Sequence, residues 1–428
     1  MISGGLISRS TPFGLTLRIL HRMSYGILLT LICSLILACD GNPVARLGLE
    51  PQRQVQDQLN GSIIIWHSFE GPDAEVLDSI LDHFTSLHPG VTLVRETHPF
   101  PDIIEMFIEQ TISGLGPDLL IIPYFLIPDY VAAGLIQDID AYNLDTSVFL
   151  PTALSHVRFR NKLYGLPLAL VTQVLCYNKS VIDEPPNTLD ELVQEAESGH
   201  RVAVGSGFID TFWGLQIFGV RIFDEHGHVD LNNENFVEWL TGLQQIRNQS
   251  NFIFYADEEA LSNAFISGEV DYFACFSDRI PRLRAALGND KVGVAPLPGD
   301  RGRPAGPVIA TTALLFSRAS SKQNTDLATH LAQFLTNVPQ QTKLAADTES
   351  QIPVNIEVEV DERLSPIVAA LVEQSKTAVS IPVDFSRKMI AVVDYGDFIY
   401  GRVLAGELTP SEAAAELTQR INRDLRRE

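Results

Sequence analysis

The chain has 428 residues, a formal net charge of −22 and a hydrophobic share of 45%. At about 150 residues per domain, this length predicts two or three domains, and the composition is that of a globular protein. A surface this acidic repels nucleic acid and anionic lipid, and no basic patch interleaved with aromatic residues is present. Neither nucleic acid nor an anionic lipid surface is therefore expected as a direct partner.

Residues 1–38 have the parts of a secretory signal peptide. Basic residues precede the apolar run ILLTLICSLILA at positions 27–38, which is shorter than the about 20 residues needed to span a bilayer. The run ends in LILAC, which resembles the lipobox of bacterial lipoproteins. That resemblance implies that Cys39 becomes the lipidated N-terminus and anchors the protein to the membrane. A plain signal peptide with an incidental cysteine is the alternative, and Met23 is an alternative start to Met1.

Residues 39–56 are polar without a sustained period, and we interpret them as a tether. The chain then alternates strands with helices of amphipathic period, which predicts a parallel, doubly wound sheet. Ligands of such sheets bind beyond the carboxyl ends of the strands, which is where WHSFEG at 66–71 would lie. The first predicted elements are strand 62–66, a helix from Gly71 with Pro72 in its first turn, strand 91–95, helix 103–112 and strand 119–122.

Later segments continue the α/β pattern. Two cysteines, Cys176 and Cys275, fall on predicted strands; they pair if these strands are neighbours, and are otherwise separate buried thiols. The predicted strands are 163–167 and 173–178, flanking a proline-bearing loop, then 202–204, 270–276, 292–295 and 310–316. The predicted helices are 189–196, 210–218, 235–246, 258–265, 324–336, 340–346, 367–373, 389–405 and 411–425.

Motifs for catalysis, metal or cofactor binding are mostly missing from the sequence. It has no phosphate-binding loop, dinucleotide fingerprint, nucleophile elbow or HExxH. His226 and His228 lie in a predicted turn without further ligands nearby in the sequence, so no metal site is predicted. His67, Ser68 and Glu70 are residue types used in acid–base catalysis, but such close neighbours on one loop point in different directions. A ligand pocket is favoured over a catalytic loop or a merely solvated strand end, and no cofactor is expected.

The order of several short motifs resembles the extracellular solute-binding proteins of ABC importers, the group that includes maltose and glycerol-phosphate-diester binders. The resemblance runs from about residue 61 to 428, and its specificity lies in the order and spacing of the motifs. They are IIIWHSFEGPD, HPGV, GPDLLII, AAGLIQDIDAY, LYGLPLAL, LCYNKSVIDEPPNTLDEL, AFISGEVDYFACF and VGVAPLPG.

The resemblance implies an α/β fold of the periplasmic-binding-protein type. Each of two lobes is a mostly parallel sheet flanked by helices, with the ligand cleft at the hinge. Residues 57–169 plus 290–338 are assigned to lobe one, and residues 170–289 plus 339–428 to lobe two. Such proteins carry out no chemistry: as monomers outside the cytoplasm, they bind a small solute and deliver it to ABC permease subunits. A sugar, polyol or glycoside is the implied ligand.

The resemblance also implies which residues face the cleft. The loop after GPDLLII is apolar here, where maltose-type relatives carry charged contacts, and Arg279 is the one obvious cation, so a strongly anionic ligand is disfavoured. For each aromatic residue, packing in the core is the rival interpretation. Two other functions stay open: a secreted glycoside-acting enzyme using His67 and Glu70, and a receptor lipoprotein without a transport role. The implied ligand-binding residues are Trp66, His67, Ser68, Glu70, Tyr124, Phe125, Thr172, Asp210, Trp213, Asp278, Arg279 and Phe385.

Overall fold

The structure is a computed structural model that describes residues 59–424. The predicted signal peptide, the tether, both possible starts and the lipidation site Cys39 lie outside the described residues. Within the described range, no helix is both long enough and apolar enough to cross a membrane.

The strands carry the numbers used below. They are β1 (Asn60–His67), β2 (Gly90–Thr97), β3 (Leu119–Pro123), β4 (Arg158–Phe159), β5 (Lys162–Leu163), β6 (Gly165–Asn178), β7 (Val202–Gly205), β8 (Phe252–Tyr255), β9 (Tyr272–Phe276), β10 (Val292–Ala295), β11 (Val308–Phe316), β12 (Ile352–Pro353) and β13 (Val379–Ser380).

The helices are numbered in the same way. They are α1 (Gly71–Leu87), α2 (Asp102–Ile112), α3 (Ile127–Ala132), α4 (Pro151–His156), α5 (Leu189–Ser198), α6 (Glu234–Arg247), α7 (Glu258–Ser267), α8 (Ile280–Leu287), α9 (Lys322–Leu335), α10 (Val338–Thr348), α11 (Pro366–Ser375), α12 (Ser386–Leu404) and α13 (Pro410–Asp424).

The main sheet has the strand order β2-β1-β3-β11-β6-β9-β7-β8. β1 pairs in parallel with β2 and β3 at one end, and β7 pairs in parallel with β8 and β9 at the other. β11 and β6 run antiparallel between these two groups, and β10 and β12 pair with β6. The predicted α/β class is confirmed. Parallel neighbouring strands need a crossover connection, and α1 and α2 supply it between β1, β2 and β3.

β6 is one continuous strand that links both parts of the sheet, so the predicted loop around its proline is wrong. Residues 165–172 pair with β11, and residues 173–177 pair with β9. The register between β6 and β11 shifts between Thr312 and Ala313, opposite Ala169 and Pro167. A β-bulge at this point accommodates a proline, which has no N–H for the ladder.

Two hydrophobic clusters lie on opposite faces of the second half of the sheet. On β6, Val174 and Cys176 belong to the first cluster and Leu175 to the second; on β9, Phe273 belongs to the first and Tyr272 to the second. This alternation follows from the two-residue period of a strand. The first cluster also covers the core of β1, β3 and β11, so the clusters are layers and do not coincide with the predicted lobes. The predicted lobe boundaries stay a prediction.

A disulfide bond joins Cys176 on β6 to Cys275 on β9. The strands are neighbours, as pairing requires, and both cysteines lie on the face of the first cluster and are buried. The bond links positions 99 residues apart in the chain.

Several predicted helices are confirmed near their predicted ends, but the helix predicted at 210–218 is wrong. α1 begins at Gly71 with a proline in its first turn, and α5 begins after Thr188 with a capping box. The 210–218 segment forms a single 3-10 turn, Phe212–Gly214. A Cβ on Gly214 would come within 2.2 Å of the Trp239 ring. Tertiary packing therefore overrides the weak helix propensity of this segment.

Candidate ligand-binding site

The carboxyl end of β1 places Trp66 and His67 below the surface. Trp66 is 4% exposed, and its ring packs edge-on against His98 at a centroid distance of 4.6 Å. His67 is 1% exposed, and its Nε2 lies 3.3 Å from Oγ1 of Thr97 on the neighbouring strand. Burial lowers the pKa of His67, which favours the neutral imidazole. Both residues lie at the predicted strand end, and the contacts of their rings described above are with His98 and Thr97 of the protein itself.

The next residues, Ser68 and Glu70, reach the surface. Ser68 is half-buried, and Glu70 is exposed directly before α1. In the first turn of α1, Asp73 is buried: its Oδ2 accepts hydrogen bonds from Ser350 Oγ at 2.7 Å and Gln351 Nε2 at 3.1 Å. Burial raises the pKa of Asp73 to about 6. Asp73 was not among the predicted site residues. Its position in the first turn of a helix that follows a strand end is a sequence pattern that could have indicated it.

After β3, Tyr124 belongs to a buried network. Its hydroxyl donates to the Ile381 carbonyl at 2.7 Å, and its ring stacks on His156 at 3.9 Å. Nδ1 of His156 lies 2.8 Å from Thr311 Oγ1, and Nε2 lies 2.8 Å from Ser380 Oγ. The phenol and the imidazole are therefore already bonded within the protein, a pattern that favours a structural role for Tyr124.

Phe125 and Phe385 are half-buried aromatic residues in two separate contacts. The Phe125 ring lies 6.2 Å from that of Tyr124. The Phe385 ring stacks on Phe223 at 5.2 Å, and the Lys388 ammonium lies 5.2 Å from its centroid. Both rings keep part of their surface accessible, as a stacking platform for a sugar would require.

On β6, the predicted residue Thr172 is bonded within the sheet, since its Oγ1 donates to the Val308 carbonyl at 2.9 Å. Its neighbour Gln173 donates from Nε2 to the Asp210 carbonyl at 3.2 Å and so positions the loop after β7. Gly207 N donates to Oδ2 of Asp210 at 3.0 Å. A Cβ on Gly205 would come within 2.5 Å of the Asp210 side chain, so this approach requires a glycine.

Trp213 lies in the second hydrophobic cluster, 5% exposed, with its ring 6.5 Å from that of Trp239. Within residues 59–424 its Nε1 has no hydrogen-bond partner. These contacts favour core packing, the rival interpretation for this residue.

Asp278 and Arg279 lie in the 3-10 turn Ser277–Arg279 that follows β9. An Arg279 guanidinium nitrogen lies 3.2 Å from Oε2 of Glu258, the first residue of α7. Asp278 is exposed and interacts electrostatically with Arg279 and Glu70, and also with Asp73. Sequence reasoning missed Glu258, because only the fold brings the start of α7 beside the end of β9.

Electrostatic interactions link charged side chains of four separate segments, which we call the acidic cluster. Burial is the main reason that the pKa of Glu258 is raised, and the negative charges of Asp278 and Asp210 raise it further. Asp210 is therefore counted in the cluster. Burial likewise raises the pKa of Asp210. Among the residues described here, no group of three or more His, Cys, Asp or Glu side chains is arranged to hold a metal ion. The acidic cluster consists of Glu70, Asp73, Asp210, Glu258 and Asp278 together with Arg279.

A model of the bacterial extracellular solute-binding protein family matches residues 79–370. The chain belongs to this family. As a member of it, this solute-binding protein acts outside the cytoplasm, and its relatives are binding proteins rather than enzymes.

Individual relatives bind sugars. The solute-binding protein is 30% identical over 177 residues to the maltotriose-binding protein of Pyrococcus abyssi, a match that spans 39% of this chain and 38% of that protein. It is 24% identical over 407 residues to the galactooligosaccharide-binding protein of Bacillus subtilis, covering 89% of this chain and 94% of that one. The first match thus spans well under half of the relative, and the second spans nearly all of it.

Solved structures share the fold. The GacH receptor of Streptomyces glaucescens, solved unliganded and in complex with acarbose, superposes with a TM-score of 0.76 at 21% identity, covering 86% of this chain and 99% of that one. The solute-binding protein therefore has the two-lobe α/β fold, as predicted.

Proposed function

We propose that the protein binds a sugar or sugar derivative between its two lobes and delivers it to an ABC permease. The observation that carries this proposal is the family membership, together with oligosaccharide-binding relatives that match over most of the chain. The fold supports it, because β1, β7 and β9 end at the loops that hold the polar residues of the candidate site, and β3 ends at the loop that holds Phe125.

Within the site, we propose Ser68, Glu70, Asp210 and Asp278 as the polar residues that contact the ligand. They are exposed or half-buried at strand ends, whereas Trp66, Tyr124, Thr172 and Trp213 are buried. Phe125 and Phe385 are the half-buried aromatic residues that would supply apolar contact to the sugar ring. His67 contacts Thr97, and Arg279 pairs with Glu258. We assign both residues to positioning these partners rather than to contacting the ligand.

The cellular arrangement is part of the proposal. Lipidation of Cys39 would hold the protein, as a monomer, at the outer face of the cell membrane beside the permease. The polar stretch 39–56 would serve as the tether that lets the folded part reach it.

A thermal-shift screen of the purified protein tests the binding function. The panel holds malto-oligosaccharides, galacto-oligosaccharides, polyols and glycerophosphodiesters. A ligand at 100 times its Kd stabilises the folded state by about 2.7 kcal/mol, so a saturable rise of a few degrees in Tm is expected from at least one sugar. Unchanged sugar, recovered after incubation, would separate binding from hydrolysis by His67 and Glu70.

Two outcomes would contradict the proposal. One is a well-folded protein whose Tm no sugar in the panel changes. The other is a sugar-binding protein that leaves uptake of that sugar unchanged when its gene is deleted, a result that would support a receptor without a transport role.

A further inference from the structure

The loop after β7 carries Asp210, one of the proposed ligand contacts, and it is joined to α12 by a single short hydrogen bond. The backbone amide of Phe208 donates to Oδ1 of Asp397 at 2.6 Å. Asp397 lies near the middle of α12 and is 189 residues away from Phe208 in sequence. A side chain of one element thus holds the backbone of another.

Asp210 and Asp397 both approach the same point of this loop. Gly207 N donates to Asp210 Oδ2 at 3.0 Å, so two successive amides each bind one of the two carboxylates. The position that a Cβ on Gly207 would occupy lies 2.8 Å from Oδ2 of Asp210 and 3.0 Å from Oδ1 of Asp397. The two carboxylates are therefore close neighbours. Burial, and further the charge of Asp397, raise the pKa of Asp210.

The side chain of Phe208 is held by the same stretch of α12. A Cβ on Gly396 would come within 2.7 Å of the Phe208 ring, so a glycine lets the ring lie directly against the helix. The buried ring also lies 5.3 Å from the ring of Tyr400, which is three residues after Asp397. Phe208 is thereby fixed at its ring by Gly396 and Tyr400 and at its amide by Asp397.

Such fixing matters because the loop begins with the flexible sequence Gly205-Ser206-Gly207. A loop that is ordered before the ligand arrives loses less conformational entropy on binding. α12 begins directly after Phe385, the proposed aromatic contact. The bond from Asp397 therefore sets the position of the loop with Asp210 relative to the helix that follows Phe385.

We propose that Asp397 is a positioning residue of the ligand site, which holds the loop after β7 so that Asp210 is in place before the sugar binds. Asp397 acts through the Phe208 amide and not through contact with the sugar. The inference rests on the proposed function, since Asp210 and Phe385 are ligand contacts only if a sugar binds between them.

Calorimetry on the purified full-length protein, with the tightest sugar from the thermal-shift panel, tests this role. Asp397→Ala removes the acceptor and should raise Kd about fivefold to tenfold, because a charge-assisted hydrogen bond that orders the loop is lost. Asp397→Asn keeps an oxygen acceptor and should bind within about threefold of the wild type. Asp394→Ala is the matched control: it removes an exposed acid three residues earlier on α12 and should leave Kd unchanged.

A double variant distinguishes positioning from a merely structural role. Asp210→Ala should weaken binding by itself. If Asp397 acts through Asp210, adding Asp397→Ala should weaken binding by less than about twofold more, whereas independent residues would add their full effects. Thermal unfolding gives the stability of each variant separately. A merely structural Asp397 would lower the Tm of its Ala variant and leave the Kd unchanged.

Amide hydrogen exchange of the wild type provides a test that does not depend on the folding of any variant. The amides of Gly207 and Phe208 should exchange slowly in the ligand-free protein, because both are already hydrogen-bonded. Rapid exchange of the Phe208 amide that slows only after sugar is added would overturn the inference, since the loop would then be ordered by the ligand.

Failure of this inference can be told apart from failure of the proposed function. If the wild type binds a sugar and Asp397→Ala binds it equally well, the positioning role is wrong while sugar binding stands. Full additivity in the double variant has the same meaning. If the folded wild type binds no sugar, the proposed function is wrong and the inference that rests on it is wrong as well.

Discussion

At the scale of single residues, Asp73 should control part of the pH dependence of stability. Burial raises its pKa from 3.8 to about 6, so the folded protein holds this proton more tightly than the unfolded chain does. The free energy of unfolding should therefore fall as the pH rises from about 4 to about 6, by roughly 3 kcal/mol from this group, and level off above that. Asp73→Asn should remove this decline, as measured by urea unfolding at pH 4, 5, 6 and 7.

The matched control for this prediction is Glu75→Gln, since Glu75 is an exposed acid on the same helix. It should retain the decline of the wild type. An Asp73→Asn protein that loses as much stability as the wild type between pH 4 and pH 7 would show that the buried carboxylate is not the source.

At the scale of elements, the disulfide between β6 and β9 should stabilise the second half of the sheet. It closes a loop of 99 residues, and restricting a loop of this size in the unfolded chain contributes about 2–5 kcal/mol. Adding a reductant should lower the free energy of urea unfolding by this amount. The double variant Cys176→Ala/Cys275→Ala should be equally destabilised and insensitive to reductant; a wild type unaffected by full reduction would contradict the prediction.

The capping box of α5 offers a smaller test. Thr188 Oγ1 accepts from Glu191 N at 3.1 Å, and Glu191 Oε2 accepts from Thr188 N at 3.1 Å. Thr188→Ala should destabilise the protein by about 1 kcal/mol, whereas Thr188→Ser keeps the acceptor and should be near neutral. Equal unfolding midpoints for the Ala and Ser variants would show that the cap contributes little.

Sequence patterns predicted elements well where local signals were strong. Pro72 and the apolar period fixed α1, and Thr188 fixed the start of α5. The same patterns failed where distant contacts decide: Pro167 is accommodated by a bulge opposite β11, and Gly214 packs on Trp239. α8 was missed because its segment, IPRLRAAL, is only eight residues long and no side chain caps its start.

At the scale of the whole molecule, the sequence predicts the strand ends that carry the candidate site, but not the carboxylates that other segments bring beside them. The strand ends that carry Glu70 and Asp278 follow from the alternation of strands and helices together with family resemblance. The interaction of Asp278 with Asp73 depends on how segments 205 residues apart in sequence (278 − 73) pack together, which no local pattern encodes. Trp213, predicted as an aromatic ligand contact, lies in the second hydrophobic cluster, and no local pattern separates the two roles of a large aromatic side chain.

A hydrogen bond and an ion pair connect the segment that follows β3 with α12 and the residues just before it. Tyr124 donates to the Ile381 carbonyl, and Nε of Arg387 on α12 lies 2.5 Å from Oδ1 of Asp129 on α3. By the predicted lobe boundaries, α3 belongs to lobe one and α12 to lobe two. In a two-lobe binding protein, such a contact biases the equilibrium between open and closed forms, and the ligand affinity includes the free energy of closure.

Arg387→Ala should therefore weaken sugar binding, although Arg387 is not one of the proposed ligand contacts. Because both side chains are about half exposed, the ion pair contributes about 0.2–1 kcal/mol, and Kd should rise up to about fivefold. The charge-swapped pair Asp129→Arg/Arg387→Asp should restore the affinity, and Arg363→Ala, which breaks the exposed pair with Asp361, should leave it unchanged. Calorimetry with the tightest sugar from the thermal-shift panel measures all four proteins. If Arg387→Ala binds like the wild type, the ion pair has equal strength in the open and closed forms, and closure is governed by contacts nearer the ligand.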